Sequence, residues 1–200
     1  MPFNPTGPRR RLILASTSQT RRDLLQRLAL DFDCIPSDIN EDPVAGESAT
    51  SLALRLAREK AETIAIQHPN DWVIGSDQVA MLDGQALGKP MTVENAHAQL
   101  TQCAGRTVRF ETAVSLQCYA LQYEDTQIVP FSVTFRSLTD DEISRYIERE
   151  QPLFCAGSFK CESLGISLFS HLHGEDQTAL MGLPLLVLCN MLRRVGLQLP

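Results

Sequence analysis

One aspartate constrains this chain more than any other residue. The apolar run Val73-Ile74 leads into Gly75-Ser76-Asp77-Gln78, and Val79 follows. A strand of that composition belongs in the middle of a sheet, where a carboxylate is costly to bury without a cation. Any fold must therefore bring positive charge to Asp77. The spacing predicts a strand over 71–75, a Gly-Ser corner presenting Asp77, and a hairpin. The hairpin joins 79–82 to 85–87 through the Asp83-Gly84 turn. Lys89, between Gly88 and Pro90, returns a lysine in a restricted turn.

Eighteen basic residues comprise fifteen arginines and the three lysines Lys60, Lys89 and Lys160. A base-composition bias is the plain explanation. A chain so depleted nonetheless tends to keep lysine where a compact, adjustable ammonium is needed. The net charge of −6, with no basic cluster beyond Arg9–Arg11, argues against a nucleic-acid surface. The longest apolar runs fall far short of a membrane span. Residues 1–10 read as a disordered leader without a signal-peptide core, and 11–200 as one domain, folded whole or as two lobes. The expected location is cytoplasmic. Six cysteines without close pairs read as buried free thiols; Cys155, Cys161, His171 and His173 lack the Cys-x-x-Cys hook of a zinc site.

Periodicity predicts a strand over 11–15, a helix over 19–30, an acidic loop over 36–48, and a helix capped by Ser48 that runs to 67. Further helices are expected over 92–103, from Thr139 to 149, and over 183–195. Long strands are expected over 107–118 and 127–136, joined through Tyr123-Glu124-Asp125. Helices intermingled with hairpins make an α/β fold with a mixed sheet.

Four segments carry possible chemistry. Ser16-Thr17-Ser18-Gln19-Thr20-Arg21-Arg22 ends a strand and opens a helix, which suits an anion such as a phosphate chain; a plain N-cap with surface arginines reads the same way. Lys60 has Leu56, Ala57, Thr63 and Ile64 at helical offsets, so it lies on the apolar stripe, either snorkelling or meeting an anion. Asp77 and the loop carboxylate Glu41 offer hard oxygens suited to Mg²⁺ or Mn²⁺. A turn aspartate beside a surface lysine is the plainer account. Ala156 to Gly165 carries Glu162, a carboxylate able to accept both N1–H and N2 protons of a guanine edge, or simply a surface acid.

In this order and spacing the segments resemble the Maf family of nucleotide pyrophosphatases. The matching motifs are Ala15–Arg22, Asn40-Glu41, Lys60-Ala61, Gly75–Asp77, Gly88–Pro90, Ala156–Ser158 and Gly182–Pro184. The resemblance implies an elongated, twisted mixed sheet with flanking helices, two lobes around a central cleft, and often a homodimer. It implies hydrolysis of a nucleoside triphosphate to monophosphate and pyrophosphate, with a divalent metal held by Glu41 and Asp77. Asp77 would activate water; Ser16, Arg21, Lys60 and Lys89 would bind phosphates; Thr20, Gln78 and Glu162 would read the base. Gln78 and Glu162 are similar to the subgroup acting on 7-methyl-GTP. Gln19-Thr20 stands where that subgroup has Pro-Trp, which removes a stacking face from a cationic base. Trp72 is expected in the core. Two rivals are a non-catalytic nucleotide-binding regulator, as of cell division, and a phosphomonoesterase. The latter's Asp-x-Asp is broken here by Val79.

Overall fold

The computed structural model describes residues 10–199. Apart from Arg10, the expected leader lies outside the described residues. The strands are β1 (Leu12–Leu14), β2 (Asp33–Cys34), β3 (Trp72–Leu82), β4 (Gln85–Leu87), β5 (Thr107–Cys118), β6 (Tyr123–Phe135) and β7 (Phe169–His173). The helices are α1 (Gln19–Gln26), α2 (Ala49–Gln67), α3 (Val93–Cys103), α4 (Asp140–Glu150), α5 (Gln177–Leu180) and α6 (Leu185–Arg194). The strands form one mixed sheet in the order β2-β1-β3-β5-β6-β7, with β4 paired to the end of β3. β1 runs parallel to β2 and β3, and the remaining pairings are antiparallel.

Alternation along β3 sorts its side chains to two faces. Val73, Gly75, Asp77 and Val79 lie under α2, where Val73 packs with Ala61 and Ile64, and Val79 with Leu52 and Ala57. The other face carries two apolar clusters at opposite ends of the same strands. Trp72, Ile74 and Leu116 pack with Leu24 and Leu25 of α1 and Leu188 of α6. Ala80, Leu82 and Phe110 pack with Leu100 of α3 and Ile143 of α4. Each such fully buried leucine contributes about 1.5–3 kcal/mol. Ser76, Gln78 and Thr112 form a polar seam between the clusters.

β3 overturns one expectation. Gly75-Ser76-Asp77 is no corner: it lies inside an eleven-residue strand, paired residue for residue with β5 from Val73↔Gln117 to Met81↔Arg109. The glycine serves close approach instead of a turn. A Cβ on Gly75 would stand 2.1 Å from the Ala57 carbonyl oxygen and 2.7 Å from the Ala61 nitrogen. The Asp83-Gly84 turn forms as expected, with φ of 47° and 82°. α1 stops at Gln26, short of the expected 30, and Ala29 takes φ 52° as the chain turns to carry Leu30 and Phe32 into the core. β2 and α5 went unforeseen because two and four residues carry no readable period. β6 begins at Tyr123, so Tyr123-Glu124-Asp125 is strand. The true connection is a 3-10 turn over Tyr119–Leu121, closed by Gln122 at φ 48°. Ser48 and Thr139 cap α2 and α4, the latter through a full capping box with Glu142. Trp72 is buried and meets Tyr123 edge-on at 5.3 Å. Cys103, Cys118 and Cys161 are buried, while Cys34, Cys155 and Cys189 are half-buried.

Candidate active site

Asp77 projects towards α2, and the close seat of that helix on Gly75 brings Lys60 directly over it. Lys60 Nζ donates to Asp77 Oδ1 at 2.7 Å and lies 2.8 Å from Glu41 Oε1. Lys60 retains only 5% of its exposure. An ammonium that buried persists because two carboxylates answer it. The Asp77 side chain is 10% exposed and that of Glu41 57%, so the cluster has a closed floor and an open rim.

Glu41 comes from the acidic loop, which Arg55 pins to α2. Arg55 donates from Nε and Nη2 to the two Glu47 oxygens at 2.7 and 2.8 Å, and from Nη2 to the Asp42 carbonyl at 3.1 Å. Hydrogen bonds from Arg55 and the Val44 amide draw the Glu47 carboxyl down to about 2. Burial pushes the Glu41 carboxyl up. The hydrogen bond and charge of Lys60, with the charges of Lys89 and Arg21, outweigh this and hold it below its ordinary value.

Arg21 enters from the first turn of α1, whose N-cap Ser18 accepts from the Arg21 amide. Ser16, buried at the end of β1, accepts from the Ser18 amide and keeps its own hydroxyl proton to donate. Arg21 Nε donates to the Gly182 carbonyl at 2.8 Å. Burial lowers its pKa while the charges of Asp77 and Glu41 oppose the shift, which places the guanidinium within their field.

The remaining predicted residues stand apart. Lys89 is exposed after β4, and its charge acts on both Glu41 and Cys155. Glu162 is exposed near Cys161, its Oε2 3.6 Å from that sulfur, and makes no contact with Asp77. Burial raises the Cys155 thiol first; Glu162 and Glu150 add to this, while Lys160 and Lys89 oppose it. Lys89 and Glu162 thus act on the same thiol with opposite charge. Thr20 is half-buried on α1, with no side-chain hydrogen bond among the described residues. Gln78 faces away from Asp77, as alternation requires, and its Nε2 donates to the Ala179 and Leu180 carbonyls at 2.8 and 3.1 Å. The structure therefore brings together Arg21, Glu41, Lys60 and Asp77, with Lys89 in electrostatic reach.

A concavity of about 520 Å³ between β4 and α3 shares only Lys89 with this cluster; Gln85, Pro90, Asn95 and Gln99 also line it. The opposed charges converge at Asp77 and not in this hollow. Glu47 and Thr112 escaped the sequence reading. The helical offset points Arg55 to Glu59, which it does reach at 3.1 Å, but nothing local signals Glu47 eight positions back. The same offset would pair Arg58 with Glu62, and no such ion pair forms among the described residues.

A family model described as "Maf-like protein" matches residues 11–195. The chain is 54% identical over 192 residues to a nucleoside triphosphate pyrophosphatase of Acinetobacter baylyi, covering 94% of this chain and 97% of that one. It is 55% identical over 195 residues to a 7-methyl-GTP pyrophosphatase of Xanthomonas axonopodis pv. citri, covering 95% and 99%. A Ham1 protein of Staphylococcus aureus overlays more loosely, with a TM-score of 0.43 and 17% identity over 66% of this chain and 73% of its own. With its sequence matched over almost its whole length, the chain belongs to the Maf family.

Proposed function

We propose that the protein hydrolyses a nucleoside triphosphate, with 7-methyl-GTP as its preferred substrate, to the monophosphate and pyrophosphate. The observation that carries this reading is Lys60 bridging Asp77 and Glu41, with Arg21 in the same field. Three cations, Arg21, Lys60 and Lys89, face two carboxylates, and the excess positive charge suits a polyanion. An arriving triphosphate competes for the Lys60 ammonium and releases the Asp77 carboxylate. Asp77 then takes a proton from water as the water oxygen bonds to the α-phosphorus. The bond from that phosphorus to the bridging oxygen breaks, and pyrophosphate leaves with the electron pair. Arg21, Lys60 and Lys89 neutralise the charge that grows on the departing oxygens, the step where fixed charges contribute most. Ser16 donates its hydroxyl to a phosphate oxygen.

The donor set fits Mg²⁺ or Mn²⁺, which take one or two protein carboxylates and complete their shell with water and substrate phosphate. Asp77 and Glu41 supply those two, and among the described residues no group of three or more ligand-type side chains gathers into a closed cage. Bound there, the metal would polarise the phosphoryl group. The methylated-guanine preference rests on Glu162, on the name of the relative at 55% identity, and on Gln78 as a subgroup mark. Thr20, in place of tryptophan, sets a lower affinity for the cationic base. A cytoplasmic enzyme, working alone or as a homodimer, accords with this reading; no helix of the described residues is long and apolar enough to cross a membrane.

The test is a panel of canonical and methylated triphosphates with Mg²⁺ or Mn²⁺, scoring pyrophosphate against orthophosphate. Pyrophosphate from 7-methyl-GTP ahead of GTP is expected. Equal rates on the two would remove the base preference, and no pyrophosphate from any nucleotide would remove the activity.

A further inference from the structure

Lys89 is exposed, and among the described residues its side chain has no hydrogen-bond or ion-pair partner. A flexible lysine stem delivers its charge from wherever the backbone beneath it is held. Here that backbone is held on both sides. From α3, Gln99 Nε2 donates to the Gly88 carbonyl at 3.2 Å, and Asn95 Nδ2 donates to the Pro90 carbonyl at 2.9 Å. Asn95 and Gln99 stand about one helical turn apart, so a single face of α3 meets the carbonyls of the residues before and after Lys89. Pro90 confines Lys89 to extended backbone. The Met91 amide then closes the turn on the Leu153 carbonyl at 3.0 Å.

Gln99 is anchored in its turn. The Gly88 oxygen can only accept, so the amide nitrogen of Gln99 must face it, and the amide oxygen is left for Ser158. Ser158 Oγ donates to that oxygen at 2.5 Å. Ser158 is wholly buried and takes φ 62° directly after Gly157 at φ 75°, a left-handed conformation that serine adopts at a cost. The next residue, Phe159, packs edge-on against Phe110, Phe135 and Phe169 in the core. The strained turn fastens Ser158 to that core and aims its hydroxyl at Gln99, which carries the fixed point on to Gly88. The charge of Lys89 acts on Glu41, so the held turn lies within reach of the carboxylates.

We infer that Gln99, with Asn95, is a positioning residue for Lys89. The two amides grip the carbonyls on either side of it and fix the place from which its ammonium meets a phosphate chain. They act through Lys89 and not on the nucleotide directly. The inference rests on the reading of Lys89 as a phosphate-binding residue.

The experiment is a double-mutant cycle against Lys89, read by turnover and by binding. Gln99→Met, which keeps the side-chain length and removes the amide, is expected to lower kcat/KM for 7-methyl-GTP and GTP about five- to tenfold. Asn95→Ala, at an exposed position, is expected to lower it about two- to fivefold. In a Lys89→Met background neither change is expected to lower it further, because the charge they place is gone. Inorganic triphosphate titrated by calorimetry should follow the same pattern, binding more weakly to each single variant and equally to Lys89→Met with or without Gln99→Met. A loss that persists undiminished in Lys89→Met would show that Gln99 serves the fold at large, and would overturn the inference. Wild-type turnover and triphosphate affinity in Gln99→Met would overturn it too, as would triphosphate bound equally by wild type and Lys89→Met. Melting curves identify any variant that fails to fold. Should Gln99→Met do so, through the buried Ser158 hydroxyl it leaves unpaired, Asn95→Ala decides by the same criteria. A wild type silent on every nucleotide yet binding inorganic triphosphate would sink the hydrolase reading and leave the binding arm to decide this one; a wild type that does neither would sink both.

Discussion

The two faces of the sheet at β3 are built on opposite physical principles within three consecutive residues. Under α2, Asp77 meets Lys60 and Glu41, so that face is held by charge. On the other, Ser76, Gln78 and Thr112 hold backbone carbonyls through neutral hydrogen bonds. The charged face is the one a phosphate can rearrange, because its partners can exchange for substrate oxygens. The neutral face offers nothing to exchange and so keeps its geometry while the other reacts. A site that must move charge without moving its frame needs both.

The comparison breaks most completely at Asp77. Asp77→Asn keeps an acceptor for Lys60 and removes the proposed base, so single-turnover pyrophosphate release should fall by about 10²–10⁴ with little change in melting temperature. A large loss of stability instead would mean that the pair is structural. Gly75→Ala strikes the seat of α2. With a Cβ 2.1 Å from the Ala57 oxygen, the helix must lift, and a cost of about 3 kcal/mol or more is expected in denaturant titration. Lys60→Met leaves Asp77 without its cation. Breaking such a buried pair costs about 3–5 kcal/mol; the open rim places this one near the lower figure, or roughly a 6–12 °C fall in Tm. A neutral result would show that the charged face does not need its cation to stay folded.

The smallest effect sharpens the contrast by pH. Arg55→Met frees the Glu41 loop and should raise the metal concentration needed for half-maximal rate by about tenfold, roughly one charge-assisted hydrogen bond. Its stability difference from wild type carries a sign. The Glu47 carboxyl lies near 2 in the fold, against an ordinary 4.5. The stabilisation is therefore present above about 4.5 and lost as pH falls towards about 2, so the two melting curves should converge over that window. Thr112→Val, acting on the uncharged seam, should show a stability difference that does not change over the same range.

Much of this was legible before any coordinates. β5 runs over the expected 107–118, because twelve residues of alternating and apolar pattern leave little choice. Lys60 read as a cation without a local acid, and the acids it finds are the two proposed for the site. The Gly75–Asp77 stretch misled, since Gly-Ser reads as a corner whenever the helix that needs the glycine is out of view. That error hid the orientation of Gln78. Once the strand is continuous, alternation alone puts Gln78 opposite Asp77. The Gly182-Leu183-Pro184 motif was visible too, but its working part is a carbonyl oxygen, which every residue has.

The sequence by itself determined which side chains have the chemistry proposed for phosphate and metal, because charge, hydroxyl and carboxylate chemistry reside in residue identity. It also determined the mixed α/β class, through periods of two and of 3.6. Only the tertiary structure decided which backbone oxygens those side chains meet, and on which face of β3 each residue lies. Backbone acceptors are alike along the whole chain, so their use depends on what packing brings within 3 Å, and that distance is a property of the folded molecule alone.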